Sequence, residues 1–142
     1  MSYFKWPIRV YYEDTDSGGV VYHSNYLNFM ERARTEWLRS LGFEQDELLI
    51  NHHCIFAVHS VQLKFRQPAK FNELLLVQSR ITDLSGASFE FEQKIMRENE
   101  LLCEAVVKIA CLNADRFRPM PIPKLLLKSL NDFSLMEIQS GH

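Results

Sequence analysis

Hydrophobic residues recur along the chain at two different spacings, one typical of strands and one typical of helices. Over residues 7–12, Ile8, Val10 and Tyr12 take one face and polar or aromatic residues take the other, which predicts a strand. Patterns typical of strands recur later, over residues 56–65, 73–83, 87–97 and 101–113. Short turn sequences separate the last three of these segments, so we expect them to pair as antiparallel neighbours.

A segment of helical period lies between the first strand and the others. Its apolar side chains follow a spacing of three or four residues: Tyr26, Phe29, Met30, Ala33, Trp37 and Leu41, with Leu27 and Leu38 widening the stripe. Ser24 or Asn25 is a suitable N-cap, and Gly42 stands where a C′ glycine is expected. This pattern predicts a long helix with a broad buried face. Two further helices are predicted over residues 44–51 and 124–130.

The predicted order of elements is one strand, a long helix and about four more strands. A helix packed on one side of a mostly antiparallel sheet is an α+β arrangement, and we expect a single domain over residues 1–142. The periodicity alone does not distinguish between the folds of this class.

Composition excludes several classes of partner. The 142 residues are 46% hydrophobic and carry a net charge of −2, so no overall basic surface favours nucleic acid or an anionic membrane. No apolar stretch reaches the length of a membrane span, and the first residues lack the apolar region of a signal peptide. Cys54, Cys103 and Cys111 are an odd number at no metal-like spacing. We therefore expect reduced cysteines and a cytoplasmic protein.

A loop rich in Asp and Gly precedes the long helix. Asp14 and Asp16 stand there with Gly18 and Gly19, close to the unpaired N–H groups and positive dipole of a helix N-terminus. Such N–H groups can stabilise a developing oxyanion, and a carboxylate can attack a carbonyl or activate water. By residue type alone, Asx turns at both aspartates are the favoured interpretation, because Asp is common in turns. An EF-hand is excluded, because Gly18 and Asn25 occupy ligand positions of the calcium loop.

Four segments around this loop resemble a known family. They are RVYYEDTD at residues 9–16, GGVVYH at 18–23, NYL at 25–27 and ERARTE at 31–36. They are similar to the 4-hydroxybenzoyl-CoA thioesterase family of hotdog proteins, and most similar to the bacterial acyl-CoA thioesterases encoded beside the Tol–Pal envelope system. The resemblance implies a long central helix wrapped by a curved antiparallel sheet, and hydrolysis of acyl-CoA to a free acid and CoA.

The resemblance also assigns roles to residues of the loop. It places the catalytic carboxylate at Asp16, as nucleophile or general base, and the backbone N–H that polarises the thioester carbonyl at or near His23. The His23 side chain could assist the thiolate, the water or the carboxylate. Substrate-binding positions implied by the motif are Gly18, Gly19, Val20 and Tyr22. It implies no cofactor and no metal, and an assembly into homodimers or homotetramers.

The sequence leaves the roles of two sets of charged residues undecided. Glu31 on the long helix could be a second catalytic carboxylate, but an ion pair with Arg34 at i, i+3 spacing is the favoured interpretation. The phosphates of CoA require exposed cations, for which the candidates are Lys64, Arg66, Lys70, Arg97 and Arg118.

Two other functions are compatible with the same fold. The domain could bind acyl-CoA without turnover, as an assembly module linked to lipid or envelope metabolism. It could also be a hotdog hydratase or dehydratase, although no His lies between Asn25 and Leu41 to supply the central-helix histidine of those enzymes.

Overall fold

The structure, a computed structural model, describes residues 3–140, with side chains through residue 133; residues 1–2 and 141–142 lie outside it. Within the described residues, five strands and three helices follow one another along the chain. They are β1 (Phe4–Arg9), α1 (His23–Ser40), α2 (Gln45–His52), β2 (Cys54–Phe65), β3 (Leu74–Leu84), β4 (Ser88–Arg97), β5 (Glu100–Asn113) and α3 (Lys124–Ser140). A single 3-10 turn, Tyr12–Asp14, lies between β1 and α1.

The five strands form one sheet in the order β1-β3-β4-β5-β2, and every neighbouring pair is antiparallel. Tight turns join β3 to β4 and β4 to β5, as the hydrophobic pattern predicts. β2, which follows the helices, pairs with β5 and forms one edge of the sheet. The predicted α+β class is confirmed.

The core lies between α1 and one face of the sheet. Six residues of α1 are buried: Tyr26, Phe29, Met30, Ala33, Trp37 and Leu38. The Trp37 ring meets the Phe91 ring edge-on, with centroids 4.8 Å apart. Leu27, by contrast, is 39% exposed, so the predicted stripe is too wide on that side. The helix ends as predicted, because Gly42 has a φ of +90°, which a residue without Cβ adopts at little cost.

A buried amide connects α1 to the sheet. Gln93 on β4 is fully buried, and its Nε2 donates to the carbonyl of Met30 at 3.0 Å and to Ser79 Oγ at 2.9 Å. Its Oε1 accepts a hydrogen bond of 2.9 Å from the Arg34 guanidinium. Both Nε2 and Oε1 of the buried Gln93 therefore have hydrogen-bond partners, as is expected for buried polar groups.

Two terminal elements differ from their predicted bounds. The first strand runs over Phe4–Arg9 rather than residues 7–12, and Tyr12 is 79% exposed instead of facing the core. The cause is local: the Asp14 carboxylate accepts the Tyr11 N–H, and the chain turns there into the 3-10 segment. The last helix continues to Ser140, ten residues past the predicted end.

The three cysteines are free and buried, as predicted for structural thiols. Cys54 and Cys111 bring their Sγ atoms within 3.2 Å of each other. No helix within residues 3–140 is long and apolar enough to cross a membrane.

Candidate active site

The Asp-Gly loop folds as a narrow hairpin that leads directly into α1. The Asp16 N–H donates to the Val20 carbonyl at 2.9 Å, and the Tyr22 N–H donates to the Asp14 carbonyl at 3.1 Å. Gly19 forms the tip with a φ of +80°, a conformation that favours glycine. The hairpin therefore fixes Asp16 relative to Tyr22, the residue that precedes the helix.

One oxygen of Asp16 holds the hairpin turn. Its Oδ1 accepts the Gly18 N–H at 2.8 Å and the Val20 N–H at 3.4 Å, which is the Asx turn that residue type alone suggested. Within the described chain, Oδ2 has no hydrogen-bond partner. The turn interpretation and the catalytic one are therefore compatible, since one oxygen positions the carboxylate and the other is available for chemistry.

Asp14 has a different role from Asp16. It is 4% exposed, and both of its oxygens are occupied: Oδ2 accepts the Tyr11 N–H at 2.8 Å and Oδ1 accepts the Asn25 amide at 2.9 Å. Such a carboxylate has no oxygen free for a substrate, and it ties the loop to the first turn of α1. The sequence did not reveal this anchor, because nothing in the spacing of Asp14 and Asn25 marks them as partners.

Helix α1 begins at His23, earlier than the predicted caps at Ser24 or Asn25. Tyr22 takes the N-cap position without a side-chain hydrogen bond, and Asn25 turns its amide to Asp14 instead of capping. The reason is the hairpin, which ends the extended chain at Tyr22 and leaves the next residue to start the helix. Among the turn and cap hydrogen bonds of the described residues, none comes from the N–H of His23 or Ser24. These donors are available to an oxyanion.

The His23 side chain lies at the surface beside an aromatic ring. It packs against Phe65, the last residue of β2, with ring centroids 4.4 Å apart. Phe65 also meets Tyr26 edge-on at 5.3 Å. The start of α1 therefore lies against the end of the edge strand.

A backbone clamp, formed by Ala69 between β2 and β3, holds the helix start in place. The Ala69 N–H donates to the Tyr26 hydroxyl at 2.9 Å, and the Ala69 carbonyl accepts the Val21 N–H at 2.9 Å. Lys70, which follows Ala69 in the sequence, forms an isolated β-bridge with Val20. Burial raises the pKa of Tyr26, which keeps its hydroxyl neutral. No motif in the sequence indicates this clamp, because it uses the backbone N–H and carbonyl of Ala69.

The predicted site residues fall into one local cluster, with different exposure. Asp16 and Val20 are partly buried, whereas Gly18, Gly19, Tyr22 and His23 are exposed. All six belong to the hairpin or to the residue that starts α1.

Glu31 does not form the predicted ion pair. Its Oε1 accepts a long hydrogen bond of 3.4 Å from Thr35, while Arg34 points to Gln93. The expectation from i, i+3 spacing is wrong here because the buried amide of Gln93 competes for the guanidinium. Burial lowers the pKa of Arg34, although the charge of Glu31 opposes this change.

Two of the five candidate cations for CoA phosphates are engaged elsewhere. Arg66 pairs with Glu104 at 2.9 Å, and Arg97 pairs with Glu73 at 2.8 Å and also with Glu100. The exposed Lys64, Lys70 and Arg118 make no ion pair with any described residue.

Comparison with known proteins decides the family. The sequence profile of the Thioesterase-like superfamily matches residues 10–130. This chain belongs to that superfamily. Its relatives include the acyl-CoA thioesterase YbgC of Haemophilus influenzae, 46% identical over 121 residues that cover 85% of this chain and 89% of the relative. The acyl-CoA thioester hydrolase YbgC of Escherichia coli O6:H1 is 43% identical over 125 residues, covering 87% and 92% of the two chains.

Solved structures of the superfamily agree with the fold. The crystal structure of a probable thioesterase from Bartonella henselae gives a TM-score of 0.82 at 38% identity, covering 86% of this chain and 100% of the other. The hotdog fold and the thioesterase family, both predicted from residues 9–36, are confirmed.

Proposed function

We propose that the chain is an acyl-CoA thioesterase in which Asp16 is the catalytic carboxylate. One observation carries the assignment: Oδ1 of Asp16 is held by the Gly18 N–H at 2.8 Å, while Oδ2 is free of partners among the described residues. The same hairpin leads into the N-terminus of α1. A carboxylate and an oxyanion site are thus supplied by one short segment, and superfamily relatives named as acyl-CoA thioesterases support the reaction.

The mechanism uses the two ends of the hairpin. The thioester carbonyl oxygen points to the N–H groups of His23 and Ser24, which stabilise the oxyanion by about 3 kcal/mol per donor. Asp16 either attacks the carbonyl carbon, giving a mixed anhydride that water then hydrolyses, or removes a proton from the attacking water. The CoA thiolate leaves in either route. In the proposed mechanism the His23 ring, which packs against Phe65, assists the thiolate, the water or the carboxylate.

We propose that the thioester passes over Gly18 and Gly19, the two residues of the hairpin that carry no side chain. A Cβ on Gly18 would lie 3.2 Å from Oδ1 of Asp16, tighter than ordinary contacts. Gly19 at the tip needs its positive φ. Gly18 and Gly19 let the thioester approach the carboxylate, and Val20 and the exposed Tyr22 line the approach.

A homodimer or homotetramer is part of the proposal. β2 is an edge strand of 12 residues, and long edges with unpaired N–H and C=O groups are sites of strand pairing. Val58, Val61 and Phe65 on this strand are 50%, 37% and 43% exposed in the single chain. A second copy that covers this edge would remove them from water. Sedimentation equilibrium tests the assembly, and a monomer at micromolar concentration contradicts it.

The proposed setting is the cytoplasm and the metabolism of lipids. Three free thiols are typical of a reducing compartment, and acyl-CoA is a lipid intermediate. Cell fractionation with an antibody to the chain tests the compartment, and recovery outside the cytoplasmic fraction contradicts it.

The decisive experiment is release of CoA thiol from a panel of acyl-CoAs, with wild type compared to Asp16→Asn. The substitution is isosteric, and the amide oxygen can still accept the Gly18 N–H while the free oxygen is lost. Asp115→Asn is the matched control, an aspartate on an exposed loop with 72% side-chain exposure. We expect hydrolysis to fall at least about a hundredfold in Asp16→Asn, a loss within the usual range for a removed catalytic group.

The other outcomes discriminate between functions. Full activity in Asp16→Asn would remove the carboxylate from the mechanism and make Glu31 the next residue to replace. A well-folded wild type that binds acyl-CoA without releasing thiol would support the binding module. Hydration of an enoyl-CoA would instead support a hydratase.

A further inference from the structure

Two of the three cysteines form a close pair at the start of β2. Cys54 is the first residue of β2 and lies opposite Asn113, the last residue of β5. Cys111, two residues earlier on β5, is its diagonal neighbour on the same face of the sheet. The two Sγ atoms are 3.2 Å apart, so one thiol donates a hydrogen bond to the other. Cys103 lies opposite Phe65, at the other end of β2, and does not belong to this pair.

The hydrogen bond makes the two thiols chemically unequal. It lowers the pKa of Cys54, although burial acts in the opposite direction. The same hydrogen bond, together with burial, raises the pKa of Cys111. Cys54 is therefore the sulfur that ionises first, and Cys111 keeps its proton. Because the thiolate is the reactive form of cysteine, the pair combines an attacking sulfur with a neighbouring thiol that can react with its oxidised form.

An open cavity between α2 and the start of β2 gives small molecules a route to Cys54. Its volume is about 280 Å³, and Cys54 lines it together with residues of both elements, among them Leu48. A water molecule takes about 30 Å³, so hydrogen peroxide, which is little larger, fits this space. Val58, Val61 and Phe65, the residues that the proposed second copy covers, do not line the cavity. Assembly through those residues therefore leaves this route open.

Closing the pair into a disulfide requires a small movement at a strand end. Diagonal neighbours on antiparallel strands have Cα atoms about 7–8 Å apart, whereas a disulfide usually joins Cα atoms about 4.4–6.8 Å apart. Cys54 begins β2 directly after His53, whose φ of +52° ends α2. The first residue of a strand can shift without breaking the middle of the ladder. A disulfide that pulls a strand end out of its relaxed position is reduced more easily than a relaxed one.

We propose that Cys54 and Cys111 are a reversible oxidation site, at which hydrogen peroxide converts the two thiols to a disulfide between β2 and β5. The site is separate from the proposed thioesterase site, because it lies at the opposite end of β2 from Phe65 and His23. In a reducing compartment the bond is transient, and it ties the start of β2 to the sheet while an oxidant is present.

The reaction proceeds in two steps that use one peroxide. The Cys54 thiolate attacks one oxygen of hydrogen peroxide, the O–O bond breaks, and the released hydroxide takes up a proton as water, leaving a sulfenic acid on Cys54. The Cys111 sulfur then attacks the sulfenic sulfur, the S–O bond breaks, and the second hydroxide leaves as water with the Cys111 proton. The two thiols together lose two electrons and two protons, and the peroxide is reduced to two waters.

The test exposes the reduced, assembled wild-type protein to a small excess of hydrogen peroxide, which catalase then removes. Thiols are counted in guanidinium with a chromogenic disulfide reagent, and we expect the count to fall from three to one. Mass spectrometry of the unreduced digest should find the peptides of Cys54 and Cys111 joined within one chain. The urea midpoint should rise by about 1 M, because the bond closes a long loop of the unfolded chain. Dithiothreitol should reverse all three changes.

Three variants separate the roles of the sulfurs. Cys103→Ala is the matched control, since it removes a buried thiol outside the pair, and it should form the same disulfide as wild type. Cys111→Ser keeps a hydrogen-bond donor but removes the second sulfur, so the sulfenic acid should persist on Cys54 and react with dimedone. Cys54→Ser should give no dimedone adduct on Cys111, whose thiol keeps its proton.

Three results would overturn the proposal. They are a folded wild type that keeps all three thiols in peroxide, a disulfide that joins two chains or includes Cys103, and a dimedone adduct on Cys111 in place of Cys54. The wild-type thiol count and digest decide the case in which a serine variant does not fold. None of these measurements uses acyl-CoA, so their outcome does not depend on the proposed thioesterase function.

Discussion

The side-chain amide of Asn25 donates a hydrogen bond of 2.9 Å to Oδ1 of Asp14, and this bond joins the first turn of α1 to the Asp-Gly loop. The other oxygen of Asp14 is held by the Tyr11 N–H. The two aspartates of the loop therefore differ, since both oxygens of Asp14 accept hydrogen bonds, whereas only Oδ1 of Asp16 does so among the described residues. A buried carboxyl group that accepts two hydrogen bonds stabilises the fold around it.

Asp14→Ala should therefore lower both stability and activity. We expect the free energy of unfolding to fall by about 2–3 kcal/mol, because two hydrogen bonds to a buried charge are lost and the Asn25 amide loses its acceptor. Urea unfolding measures this change, and thiol release measures the effect on kcat. Asp115→Ala, in an exposed loop, is the control and should be neutral. A stable Asp14→Ala protein with full activity would show that the anchor is dispensable.

The hydroxyl of Tyr26 is the second support of the helix start. Tyr26→Phe leaves the Ala69 N–H buried without an acceptor, at a cost of about 1–3 kcal/mol. We also expect a lower kcat, since Ala69 holds Val21 just ahead of His23. Tyr12→Phe removes a hydroxyl from a side chain that is 79% exposed, and should match wild type in urea melts and in turnover. Equal free energies of unfolding for the two variants would contradict a supporting role for the Tyr26 hydroxyl.

Local periodicity predicted most of the fold because each element carries its own pattern. Leu75, Val77 and Ile81 on β3 face one way at period two, and all three are buried. Gly42 ends α1 by its backbone alone. In each case the neighbouring residues in the sequence determine the local structure, and the tertiary contacts favour that same structure.

The predictions that failed depend on partners distant in sequence. Arg34 bonds to Gln93 on β4 rather than to Glu31 one turn away, because a buried amide lacking this donor would be costly. Asn25 bonds to Asp14 instead of capping α1. A cavity of about 110 Å³ lined by Thr35 on α1 and Val58 on β2 exists because the fold brings these two elements side by side. No local pattern contains these relationships, whereas the family motif located Asp16 as the candidate carboxylate.

Replacement of Gln93 tests the polar connection between α1 and β4. Gln93→Leu keeps the volume but leaves the Arg34 guanidinium without its acceptor and Ser79 without its donor. We expect a loss of about 2–4 kcal/mol in the free energy of unfolding, as for a buried polar network broken on one side. Gln62→Leu, on the exposed face of β2, is the control. A double variant, Gln93→Leu with Arg34→Met, should recover part of the loss, and no recovery would argue against the pairing.

The thiol of Cys103 should make the protein less stable at high pH. Burial, with a smaller contribution from the Glu104 charge, raises the pKa of Cys103 to about 12 from an ordinary value of 9.0. Between these two values the unfolded chain loses the thiol proton and the folded chain keeps it. The free energy of unfolding therefore falls as pH rises through this window, by up to about 1.4 kcal/mol per pH unit from this group.

Cys103→Ala isolates the contribution of this thiol to the pH dependence of stability from that of tyrosines and lysines, which titrate in the same pH range. The variant should be less stable at neutral pH because a small cavity is left, yet its stability should decline less steeply between pH 9 and 12. Urea unfolding of both proteins across that range gives the two slopes. Parallel slopes would mean that the folded thiol ionises as readily as the unfolded one. The same burial predicts that a disulfide reagent at neutral pH reacts with Cys103 only after unfolding, since the ionised thiolate is the reacting species.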